Sequence, residues 1–257
     1  MRMSTKQSLT KKVHYFHADA SAIGGVINTP VKENIEVQSP VSLPPVGGFA
    51  TTRSENFRLH GIITADTTHS QVSGHASEEN GFPLTMMTTA VEKLNVLNIL
   101  TADRVVGQIS AEHHHERHAP HVSFLGTQIL NLSIAGHPLE VILDLDLLDC
   151  GDGERHPKKP VVSNPRFLKK IGQSYNDDCG YVTCTLVKEI KGDFPGKKIK
   201  KNVLEVPGFG VVHLAELVVG HHSYDLVMMR LALGCPTTGD ISVGSGKVNG
   251  TGGGGGR

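Results

Sequence analysis

The sequence predicts an all-β fold, mainly antiparallel and sandwich-like, with about nine to twelve strands of ordinary length. Three observations carry this expectation. From residue 139 to 147, Leu139, Val141, Leu143, Leu145 and Leu147 alternate with Glu140, Asp144 and Asp146, with Ile142 the one exception. A period of two marks a strand with one buried and one wet face. Second, 29 glycines and 13 prolines cut the 257-residue chain into short segments with Val, Thr and Ser between them, the composition of strands joined by tight turns. Third, with 38% hydrophobic residues and no Trp, the core must come mostly from Val, Ile and Leu. A β-solenoid is the alternative, since repeated apolar strands with glycine turns would also suit it.

Taken in order, residues 1–46 read as an extended lead-in from which one strand docks on the body. Pro30, Pro40, Pro44 and Pro45 break any longer element there. The β-rich body spans residues 47–244. Its first strands are expected at Phe57–Thr64 and His69–Gly74, separated by Ala-Asp and Ser-Gly breaks. Residues 85–97 place Met87, Val91 and Leu94 at helical spacing, but Thr85, Thr88, Thr89 and Val91 are β-branched, so strands are the preferred reading. Residues 113–121, HHHERHAPH, form a loop between apolar strands.

Next, Ile129–Ile134 and the alternating run from Leu139 to Leu147 make two strands around a turn at Gly136, His137 and Pro138. A polar loop at 150–159 and a less ordered connection lead to one strand holding Val182, Leu186 and Ile190. Lysines at 197, 198, 200 and 201 mark a solvated hairpin edge. The last segment reads as strands Val211–Val219, Tyr224–Leu233 and Asp240–Val243, followed by a flexible glycine-rich tail at 245–257. Its Gly-His turn near His221 weakly echoes the one at Gly136 and His137.

Formal charge is balanced, with 25 basic and 25 acidic side chains, which argues against a nucleic-acid partner. No apolar run is long enough to cross a membrane as a helix, and no leader is recognisable. Fifteen histidines make the charge sensitive to acidification in the imidazole range. The four cysteines, Cys150, Cys179, Cys184 and Cys235, have no CxxC spacing. They leave open two disulfides, Cys179 with Cys184 and Cys150 with Cys235 among the pairings, or four reduced thiols.

Candidate chemistry is sparse. His113, His114, His115, His118 and His121 could converge on a divalent transition metal such as Zn, Cu or Ni, although their order is not that of a metalloprotease helix. Asp144, Asp146, Asp149, Asp152 and Glu154 offer oxygens for calcium without a calcium-loop spacing. Neither a nucleophile elbow nor a phosphate loop is present.

The order LNVLNILTADRVVGQISAE, VSFLGTQILNLSIAGHPLEV, PGFGVVHLAEL and DISVGSGKVNG, spanning roughly residues 60–250, resembles the choice-of-anchor P group of bacterial surface proteins. The resemblance implies a secreted or wall-displayed β domain of uncharacterised function and brings no catalytic residues. The chain departs from it in lacking a visible leader or C-terminal anchor, which keeps a cytoplasmic address as the alternative.

Three functions follow as expectations. The first is a non-enzymatic structural or surface protein that binds itself, as a homo-oligomer or filament, or another surface protein. The second is a transition-metal module on the histidine loop. The third is a hydrolase whose site is assembled from distant residues.

Overall fold

The computed structural model describes residues 14–76, 81–114, 119–149, 161–173 and 180–249. One sheet contains β1 (Ala18–Thr29), β2 (Glu33–Gln38), β3 (Val41–Ser42), β12 (Tyr181–Thr185), β14 (Lys198–Lys200), β15 (Val203–Val206), β16 (Gly210–Gly220), β17 (Ser223–Leu233) and β18 (Thr238–Asn249). The other contains β4 (Gly48–Leu59), β5 (Ile63–Ala76), β6 (Pro83–Val96), β7 (Leu100–Glu112), β8 (His121–Ser123), β9 (Gln128–Leu130), β10 (Leu132–Ile134), β11 (His137–Leu143) and β13 (Val187–Gly192). Every described strand pair is antiparallel. The two sheets pack face to face, so the fold is the all-β sandwich and not the solenoid.

The first sheet runs β14-β15-β16-β17-β18-β1-β2 and the second β13-β11-β10-β7-β6-β5-β4. Strands β1, β17 and β18 face β5, β6 and β7. Between them lie the fully buried Ile23, Met87, Val105, Ile109, Met228 and Val243. Apolar burial of this kind is the main stabilising term, about 1.5–3 kcal/mol for each large side chain. Glycine sets the closest approach. A Cβ on Gly107 would meet Met228 Cγ at 2.9 Å, and one on Gly246 would collide with Met87 Sδ.

Each sheet is interrupted along one row of residues. In the second sheet the pairing skips Asn56 with Asp66 and Lys93 with Asp103, although the register continues unchanged on both sides. Asn56 and Lys93 have φ of 57° and 53°, and Asn131, which separates β9 from β10 opposite the same row, has 51°. The first sheet has the same device at Ala215 (φ 46°) and Gly244 (φ 65°), where the ladders of β16 with β17 and β17 with β18 also skip a pair. A left-handed residue turns the strand out of its ladder and coils the sheet locally.

Several expected boundaries move. The predicted strand Phe57–Thr64 is the end of β4, a turn and the start of β5, with His60 and Gly61 at positive φ making the reversal. The Ala-Asp and Ser-Gly pairs break nothing, because β5 runs unbroken from Ile63 to Ala76. Residues 83–96 form one strand, as β-branching indicated. The β10–β11 turn is Ala135-Gly136, both with positive φ, the pattern of the tightest hairpin turns; His137 and Pro138 already belong to β11.

The alternation that continues to Leu147 outlasts its strand. β11 ends at Leu143, and the Asp144 N–H donates to the Leu186 carbonyl at 2.7 Å. Asp144 and Asp146 therefore sit in a turn, where Lys170 Nζ contacts an Asp144 carboxylate oxygen at 3.0 Å and donates to the Asp146 carbonyl at 2.9 Å. Lys170 belongs to a short helix, α1 (Pro165–Ile171), within the connection expected to be irregular. Asn164 caps it by accepting from the Arg166 N–H, and a left-handed Gly172 ends it. Buried Phe167 anchors this helix in the core.

The strand expected through Val182, Leu186 and Ile190 is two strands in different sheets. β12 pairs with β16, β13 pairs with β11, and the chain crosses over at Leu186. The lead-in supplies β1, β2 and β3, and β1 is paired on both sides, by β18 and by β2 with β3. Residues 245–249, placed in the tail by their glycines, complete β18; residues 250–257 lie outside the described residues.

Candidate functional site

The histidine loop is only partly brought together. His113 follows β7, its N–H donating to the Pro83 carbonyl at 2.8 Å, and its side chain is buried. Its ring lies 4.6 Å from that of His14, which meets Phe16 edge-on at 4.7 Å. His114 packs against Phe82 at 4.2 Å and lies 3.2 Å from Glu112. His121 is exposed at the start of β8, and His115 and His118 lie outside the described residues.

Burial pushes the His113 imidazole down to about 4, and the positive charge that His14, His222 and His114 can carry pushes the same way. His14 in the lead-in thus lies against His113, and His222 in the β16–β17 turn is near enough for its charge to act on the same ring. Among the described residues no group of three His, Cys, Asp or Glu side chains has the geometry of a metal site. That covers the acids Asp144, Asp146 and Asp149; Asp152 and Glu154 lie outside the described residues. The His-His pair at 221–222 was visible in the sequence as a turn echo. Nothing in the sequence ties it, or His14, to His113, because only the sheet order makes them neighbours.

Cys184 and Cys235 are free thiols, and Cys150 and Cys179 lie outside the described residues. Burial pushes the Cys184 thiol up to about 12, so it is not a nucleophile at neutral pH.

Glu216 on β16 forms an ionic centre. Arg230 donates to both of its oxygens, at 2.8 and 3.1 Å, and His213 Nδ1 lies 3.0 Å away. Burial raises the Glu216 carboxyl, but the Arg230 hydrogen bonds and charge, with those of His213, outweigh it and hold the group below its ordinary value. Such a carboxylate is ionised and already fully engaged.

The sheet edges differ sharply. Of the four strands that end the two sheet orders, three are short: β14 has three residues and presents Lys198 and Lys200, β2 has six between Pro30 and Pro40, and β13 has six with Lys188, Glu189 and Lys191. Short, charged and proline-flanked edges resist pairing with other chains. β4 is twelve residues long, about 40 Å at the usual rise per residue. Its backbone pairs with β5 alone among the described residues, and none of its residues is fully buried. Phe49 is 63% exposed and Val46, just before the strand, is 87% exposed. Arg53 and Glu55 stand on its exposed face 2.9 Å apart.

The fold is a two-sheet antiparallel sandwich with one long open edge, and its class is that of an all-β domain. A family model described as a domain of unknown function (DUF8256) matches residues 14–178 and 155–220, and the chain belongs to that family. No curated protein and no solved structure matches it.

Proposed function

We propose that this domain is a non-enzymatic structural protein that acts by self-association, a second copy adding its β4 to the open β4 edge. The observation that carries the reading is the contrast among the strands that end the two sheet orders: three are short and charged, and one is twelve residues long with an exposed Phe49. Strand addition there would satisfy backbone groups along the strand.

The charge order favours a second copy over an unrelated strand. Laid antiparallel with Ser54 opposite Ser54, two β4 strands set Arg53 of each against Glu55 of the other. Opposite-charge cross-strand pairs stabilise such a ladder, and a two-fold axis forms both at once. Strands β1, β2 and β3 of the lead-in are already committed within their own sheet and do not supply the added strand.

The resemblance to surface-displayed β proteins supports a location at the cell surface, where a pair of rigid domains has a structural role. Oxidation of a Ser54→Cys variant tests the register: a disulfide between two copies at position 54 is expected. A link formed only through the native cysteines contradicts it.

A further inference from the structure

We propose that a cleft at the fork in the first sheet binds a small organic anion carrying a short apolar tail. The fork arises because β15 and β12 lie along the same side of β16, end to end. β15 pairs with residues 210–213 of β16 and β12 with residues 216–220. Between them, the Leu214 N–H donates to the Asn202 carbonyl at 2.9 Å and the Asn202 side-chain Nδ2 donates to the Leu214 carbonyl at 3.0 Å, while the Leu186 N–H donates to the Ala215 carbonyl as the chain departs for the other sheet. Left-handed Ala215 sits at the division.

The divergence opens a cleft of about 430 Å³ between the sheets, within the usual size range of small-molecule sites. Leu147, Ile171 and Val187 form its apolar wall. Its charges are mostly spent: Asp144 is paired with Lys170 at 3.0 Å, and Glu216 with Arg230. Lys188 from β13 and Lys201 from the turn before β15 also line it, from opposite sheets, and neither has an acidic partner among the described residues. Lys201 is held at φ 55°, an uncommon conformation for a long side chain. Two lysines without an acidic partner among the described residues, lining the same cleft as an apolar wall, suit a carboxylate or phosphate attached to a hydrocarbon segment.

Hexyl phosphate is the probe, titrated calorimetrically and followed by methyl NMR, with hexan-1-ol and inorganic phosphate as controls. Saturable 1:1 binding is expected, with shifts at the Leu147, Ile171 and Val187 methyls and much weaker binding of both controls. Lys188→Gln and Lys201→Gln each weaken it at least about fivefold, the loss of one charge-assisted contact. Lys191→Gln, on the same strand but outside the cleft, leaves it unchanged. Thr183→Trp, which fills the mouth from β12, abolishes it while a native unfolding transition persists. The proposal is overturned if those methyls do not move at millimolar probe, if hexan-1-ol or phosphate alone binds as tightly, or if the double lysine variant binds like the wild type.

Discussion

Lys93 and Asp103 face each other across β6 and β7 where the ladder skips a pair, their side chains 2.8 Å apart. Asp103 also accepts from Asn131 Nδ2 at 2.7 Å, so one carboxylate holds two of the three left-handed residues in the row. Hydrogen bonds from Lys93 and Asn131, with the Lys93 charge, keep the Asp103 carboxyl below its ordinary value. The bond to Asp103 likewise raises the Lys93 ammonium.

The left-handed backbone at Lys93 makes a sharp substitution test. Lys93→Asn, a residue that tolerates positive φ, should leave the unfolding temperature nearly unchanged, whereas β-branched Lys93→Val should lower it by a few degrees. Thermal unfolding by circular dichroism measures both. Equal behaviour of the two variants would show that the backbone at position 93 carries no strain.

His113 makes stability fall in acid. Its folded value, about 4, lies below the ordinary 6.5, so the unfolded chain binds the proton more readily. The stabilisation is complete above pH 6.5 and is lost as pH falls from there towards 4, by about 3 kcal/mol at most. The groups facing the ring are His14, His114 and His222. Urea unfolding at pH 7.5 and 4.5 should show a smaller pH difference for His113→Phe than for the wild type; identical differences would remove His113 as the cause.

Gly107 permits the sheets to meet. Gly107→Ala puts a methyl against Met228 Cγ, Thr89 Oγ1 and the Gly244 carbonyl, all within 3.3 Å. The overpacking should cost about 1–3 kcal/mol in denaturant unfolding. A Gly107→Ala/Met228→Ala double variant relieves the closest contact but loses packing, so its cost should fall short of the sum of the singles.

The described thiols should separate by reactivity. At pH 7.5 iodoacetamide should modify exposed Cys235 and spare Cys184 until the protein is unfolded, because burial keeps the Cys184 thiol protonated. Peptide mapping by mass spectrometry reads each site separately.

The strands most legible in the sequence are those whose burial alternates within a regular ladder. β16 and β17 follow the expected positions to within a residue at each end, whereas β18, expected only at Asp240–Val243, runs from Thr238 to Asn249. Alternation failed at Leu145 and Leu147, which lie in a turn beyond the end of β11. Apolar spacing alone cannot separate a strand from the turn that follows it.

The interrupted row leaves a mark in the sequence. Ile63-Thr64-Ala65-Asp66 and Leu100-Thr101-Ala102-Asp103 are near repeats, and each aspartate stands opposite a left-handed residue. The histidine pair leaves none, because His14 and His113 come together only when the strands pack. The open edge was also invisible, since which strand ends a sheet depends on every other pairing.

Sedimentation velocity over a range of concentrations tests the central claim, self-association through β4, most directly. The account predicts a concentration-dependent dimer, weakened by Arg53→Glu and by Glu55→Arg separately and restored when both are present in one chain, because the swap rebuilds both cross-strand pairs. A wild-type chain that stays monomeric at every concentration, or a double swap no better than either single change, would contradict it.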